Sequence, residues 1–173
     1  MLLKPQDILV LLKLVAVGNI DWSFNKLAIE LSMSPSEVHA ASNRALASNL
    51  AIQKNKKILP NIGNLEEFLI HGLKYVFVAE RGEMVRGMPT GYAAPPLKSK
   101  FAADSEPLPV WPDAEGNVRG MAFSPLYKSA PKAARVDEQL YKLLVLVDAI
   151  RGGRAREVNF AIKELKKRLE AYD

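Results

Sequence analysis

Ser36, His39, Ala40, Asn43 and Arg44 recur at intervals of three and four, the spacing that places side chains on one face of a helix. They are short and nearly uncharged, Arg44 excepted. A helix face meant only for water more often carries Glu and Lys. A helix that enters the major groove of DNA needs side chains that approach base edges without bulk. Asn43 has the chemistry for an adenine edge and Arg44 for a guanine edge, while His39 can donate or accept. Further on, Lys54-Asn55-Lys56-Lys57 puts three ammonium groups at a turn between Leu50-Ala51-Ile52-Gln53 and Ile58-Leu59, which alternate as two short strands. Such a tip can lay positive charge along phosphates beside a groove occupied by the helix.

The elements that must position these groups have local signals of their own. Ser34-Pro35-Ser36-Glu37 combines a cap, a proline in the first turn and an acid at the third helical position, which predicts a helix over 35–48 with a wing over 51–59. Before it, Phe24, Leu27, Ala28 and Leu31 form one helical face, capped by Asp21 or Ser23, and Met33 plugs the angle between the two helices. Ile8 to Val15 is apolar on most sides, which is too much for a surface helix. It is expected to lie between this unit and either a partner subunit or the C-terminal helices. Pro5, Asp7 and Lys13 distinguish it from a secretory signal.

The run Leu27-Ala28-Ile29-Glu30-Leu31-Ser32-Met33-Ser34-Pro35-Ser36-Glu37-Val38, continued by Arg44-Ala45-Leu46-Ala47-Ser48-Asn49-Leu50, resembles the core of winged helix-turn-helix regulators of the MarR and related bacterial families. The resemblance covers residues 5–60. Ser32 and Asn49 stand where glycine is common in those families. The resemblance implies dimeric, sequence-specific DNA binding with the helix over 35–48 in the major groove, and it does not extend to the other two thirds of the chain.

A further helix is expected after Asn61, carrying Leu65, Phe68, Leu69, Leu73, Val76 and Phe77 on one side, with His71 as a structural group. Residues 81–135 change character. Prolines at 89, 95, 96, 107, 109, 112, 125 and 131 predict an extended segment, with an exposed loop over 102–116 anchored by Trp111. Within it Val85-Arg86-Gly87-Met88 is echoed by Val118-Arg119-Gly120-Met121, which reads first as two similar edge strands and second as an anion or effector site built from Arg86 and Arg119. Residues 136–173 carry two apolar stripes joined at Gly152-Gly153, a helical hairpin with Arg151, Arg154 and Arg156 at its bend. The fold expected is therefore mainly α with a small β wing: a winged helix-turn-helix with its following helix over 1–80, an extended Pro/Gly-rich segment over 81–135, and a C-terminal helical hairpin over 136–173.

The chain of 173 residues has a formal charge of +5, and residues 1–60 carry seven Lys or Arg against four acids, so the basic excess is denser there. No cysteine and only two histidines are present, which removes thiolate metal sites and thiol chemistry. No G-x-S-x-G, Walker loop or G-x-G-x-x-G occurs. The expectation is a cytoplasmic, non-enzymatic regulator without cofactor or metal, most simply a homodimeric repressor. It would bind double-stranded DNA through Ser34, Ser36, His39, Ala40, Asn43, Arg44, Lys54, Lys56 and Lys57. The alternative is an adaptor or antitoxin-like protein that uses the winged helix and C-terminal segment to hold a protein partner, and a small-molecule effector is a third expectation. No membrane association is expected.

Overall fold

The computed structural model describes residues 2–101 and 107–172. Helix α1 (Pro5–Val17) starts as its sequence dictates: proline lies in the first turn, and Asp7 accepts a hydrogen bond from the Lys4 backbone at 2.8 Å. It ends at Gly18, where φ is +66°. Helix α2 (Phe24–Leu31) is capped by Ser23, whose hydroxyl accepts from Lys26 N at 3.1 Å. Helix α3 (Pro35–Ala47) carries the full capping box, with Ser34 N donating to Glu37 at 2.7 Å and Glu37 N donating to Ser34 at 3.2 Å. Ser32 and Asn49 adopt φ of 53° and 61°, so these polar residues take the left-handed conformation that glycine would supply.

Strands β1 (Ala51–Lys54) and β2 (Lys57–Pro60) form the wing, in the register Ile52 to Leu59 and Lys54 to Lys57. Asn55 and Lys56 both have positive φ, the backbone of a type I′ turn that matches the twist of a hairpin. Helix α4 (Ile62–Glu67) is capped by Asn61 and runs through one wide turn at Phe68–Gly72 into α5 (Leu73–Val76).

The expectation of a mainly α fold with a small β wing, in which residues 81–135 form an extended Pro/Gly-rich segment, is corrected here, although the two Val-Arg-Gly-Met segments read as similar strands do pair with each other. This region forms β3 (Arg81–Pro89), β4 (Pro109–Pro112) and β5 (Val118–Phe123), followed by α6 (Ala130–Val136), and the fold is a mixed α/β one. β3 pairs antiparallel with both β4 and β5, and β4 pairs in parallel with β5, so the three strands close into a ring. Two physical reasons account for the difference. Pro89, Pro109 and Pro112 fall at strand ends, where a missing N–H removes little of the ladder. The glycines admit backbone crossings that any side chain would block: a Cβ on Gly87 would lie 2.0 Å from the Trp111 carbonyl oxygen, and one on Gly120 would lie 2.1 Å from that of Leu108. Part of the loop expected over 102–116 is thus β4, and Trp111 is fully buried; residues 102–106 lie outside the described residues.

The C-terminal hairpin forms as expected, from α7 (Glu138–Gly152) and α8 (Ala155–Glu170). Val136, expected in its apolar stripe, instead ends α6 and is exposed. Ile8, Leu9, Leu11 and Leu12 of α1 are buried together with Leu143, Leu144, Leu146 and Val147 of α7 in one hydrophobic core that reaches from the wing to α8. α1 packs on both α3 and α7, so it is the C-terminal hairpin, not a second subunit, that covers it. Lys13 interrupts the apolar run for a reason: its buried ammonium is 2.9 Å from Glu30 on α2 and 2.7 Å from Asp137, the cap of α7. Among the described residues no helix is long and apolar enough to cross a membrane.

Candidate nucleic-acid interface

Helix α3 turns Val38, Ala41, Ser42 and Ala45 inward and leaves Ser36, His39, Asn43 and Ala47 exposed, with Ala40 half-buried between them. Ser42 can be buried because its hydroxyl donates back to the Val38 carbonyl at 2.9 Å. On the outer face, Asn43 Nδ2 lies 3.3 Å from His39 Nδ1, one turn away, and the His39 ring meets that of Phe24 at 5.2 Å. Phe24 in turn meets Trp22 edge-on at 5.4 Å. Trp22 and Phe24, together with Ser23, Lys56, Lys57 and Ile58, wall a hollow of about 210 Å³ between the start of α2 and the wing.

The groups expected to touch DNA do not all share this face. Ser36, His39, Ala40 and Asn43 stand along it, with Ser34 at its head. The Ser34 hydroxyl is occupied by the cap and lies 3.1 Å from that of Ser36. Arg44 is turned the other way. Its Nε donates to both Asp7 oxygens at 2.9 and 3.1 Å, and its Nη2 donates to Asp7 at 2.7 Å. Only 14% of its side chain is exposed. Arg44 therefore clamps α3 to the start of α1 in a bidentate pair, the geometry that a planar guanidinium favours. At the wing, Lys54 and Lys56 are exposed, whereas Lys57 is paired with Asp21. That pair holds the Asp21 carboxyl below the usual aspartate range, chiefly through the hydrogen bond from Lys57.

Sequence reasoning missed one contributor. The Tyr127 hydroxyl donates to Glu37 Oε1 at 3.3 Å, and Lys128 stands close enough to help hold the Glu37 carboxyl below its usual range, after the larger effect of the Ser34 backbone and hydroxyl. The loop after β5 is thus seated at the head of α3, and Lys128 adds an exposed cation there. No local pattern could have placed it, because the contact spans ninety residues of chain.

Arg86 and Arg119 lie elsewhere, facing each other across β3 and β5. Of the arginines at the hairpin bend, Arg151 is buried: it donates to Asp148, to the Phe77 carbonyl and to the Ser124 carbonyl. Asp148 also accepts from Thr90 at 2.5 Å and from the Trp111 indole at 2.7 Å. Among the described residues, no group of three or more His, Cys, Asp or Glu side chains is arranged to hold a metal ion. Comparison with protein-family models, with curated proteins and with solved structures finds no match for this chain.

Proposed function

We propose that the chain is a sequence-specific regulator of transcription that binds duplex DNA, in its simplest form a homodimeric repressor acting in the cytoplasm. The observation that carries this reading is the exposed face of α3 beside a type I′ wing: Ser36, His39 and Asn43 are open to a groove, and Lys54 and Lys56 are open to the flanking phosphates. The resemblance to MarR-type regulators supports the same docking. Arg44 has a positioning role in this reading, setting the angle of α3 through Asp7 while His39 and Asn43 meet the bases.

Selection of bound sequences from a random duplex pool at physiological salt tests the proposal. Two related half-sites about one helical turn apart are expected; a pool with no enrichment would overturn it. On the enriched site, replacing Lys54 and Lys56 by alanine should reduce the salt slope of log Kobs by roughly 0.9 for each phosphate no longer neutralised. Replacing Lys57 should reduce it less, since Asp21 already neutralises that ammonium.

A protein-holding role has one observation in its favour. Tyr75, Val76 and Val78 are 75%, 53% and 65% exposed, an apolar stretch beside the start of β3. In the DNA-binding reading this stretch serves the second subunit. Recovery of a stoichiometric heterologous partner, with no salt-sensitive DNA binding, would favour the adaptor reading instead.

A further inference from the structure

The repeated Val-Arg-Gly-Met segments lie side by side in register, Val85 opposite Gly120, Arg86 opposite Arg119 and Gly87 opposite Val118. The fold accounts for the glycines, because β4 crosses each of them too closely for any side chain. Strand alternation then turns the preceding arginine to the outer face. Nothing in the packing calls for arginine there. Both guanidinium groups are exposed, and side chains directly opposite each other on an antiparallel pair stand about 5 Å apart, where like charges are destabilising. Asp113 and Glu115, in the turn between β4 and β5, are both bound by Arg135. Among the described residues neither Arg86 nor Arg119 has an ion-pair partner. The next rung of the same face is Met84 opposite Met121, with Met84 43% exposed, an apolar shelf beside two unneutralised cations.

We infer that Arg86 and Arg119 form a clamp for a phosphate group carried on an organic body. A phosphate brings up to two negative charges and three acceptor oxygens, enough to engage two planar donor forks and to turn their mutual repulsion into joint attraction. The methionine rung receives the apolar or flat part of the molecule that carries it. The phosphate has two sources, a phosphorylated small molecule such as a nucleotide, or the backbone of DNA. The clamp stands on the geometry of β3 and β5 and does not depend on the docking of α3.

The test uses the full chain, the variants Arg119→Ala and Arg86→Ala/Arg119→Ala, and the charge-preserving Arg86→Lys/Arg119→Lys. Without any ligand at low salt, Arg119→Ala should melt higher than wild type, because the opposed charge is gone, and this shows that the variant folds. Adenosine diphosphate and inorganic pyrophosphate, titrated calorimetrically, should bind wild type and lose about tenfold or more in affinity for each arginine removed. The lysine variant should keep part of the binding, as charge without the fork geometry allows. If neither small probe binds, duplex DNA is the other source, and the double alanine variant should then lower the salt slope by roughly 1.8. Binding of both small probes and a DNA salt slope that are all unchanged in the double alanine variant, or no binding to any of the three probes by wild type, overturns the clamp. Loss of DNA binding confined to Lys54 and Lys56 variants bears on the α3 reading alone.

Discussion

The winged unit and the ring of β3, β4 and β5 are each tied to the helical frame by a buried carboxylate, and they use it in different ways. Asp7 serves a unit whose helices already have caps, apolar faces and a well-formed turn, and its pair with Arg44 sets how α3 sits on α1. Asp148 serves a ring whose closest approaches are backbone against backbone at Gly87, Gly116 and Gly120, leaving little room for apolar side chains between the strands. It gathers Thr90 after β3, Trp111 on β4 and Arg151 on its own helix. Burial pushes its carboxyl up, while the charge of Arg151 and the donors around it pull the other way. Where local signals build a unit, the carboxylate orients it. Where they are sparse, the carboxylate network is a main attachment.

Removing each carboxylate is the most direct way to break this contrast. Asp148→Ala leaves Arg151, Thr90 and Trp111 without their shared acceptor and should cost about 3–5 kcal/mol in denaturant unfolding, with the near-ultraviolet signal of Trp111 lost. A loss below about 1 kcal/mol, within the range of ordinary single hydrogen bonds, would show that the ring is held by something else. Asp7→Ala should cost less, about 2–3 kcal/mol, because Arg44 retains some access to water. Under the proposed function its distinguishing effect is on DNA affinity, which should fall in conditions where the chain remains folded. Equal losses of stability and unchanged DNA binding would erase the distinction between orienting and attaching.

The smallest effect sharpens the winged side of the contrast. Glu37 ionises more readily than an ordinary glutamate because the Ser34 backbone N–H, and then its hydroxyl, bind the carboxylate. Its folded value lies below its unfolded one, so its contribution is complete above the usual glutamate range and is lost as pH falls through the lower, folded value. The melting temperature of wild type should exceed that of Glu37→Gln by a constant margin at neutral pH, and the margin should close in acid. A margin that grew in acid would remove the cap from the account of α3.

Much of the winged unit can be read from the chain because its signals are short-range. Ser34-Pro35-Ser36-Glu37 marks a helix start within four residues, and a type I′ tip needs only two residues that accept positive φ. Arg44 misleads for a related reason. Its spacing on the helix is that of a groove-reading residue, while its partner is Asp7, thirty-seven positions earlier. Residues 81–135 resist because each of their signals depends on distant chain. The glycine of each Val-Arg-Gly-Met copy has meaning only once β4 crosses it, and prolines that forbid long helices say little about strand ends. Pro131 even marks the start of α6, just after Ser129, although its residue type alone suggests only a helix breaker. The echo itself is the one legible trace of the ring.

The burial of α1 against α7 has a consequence for how the protein comes to exist. During synthesis α1 leaves the ribosome long before α7, with 120 residues separating Val17 from Glu138. At the usual rate of about 5–20 residues per second, its apolar side waits roughly 6–24 seconds for its cover. In that interval the side chains of α1 that α7 will cover are open to chaperones and to other nascent chains. Helix α3 rests on α1, whose cover arrives only when the far end of the protein has been made, and a chain cut short before α7 would carry α2, α3 and a wing on an uncovered support.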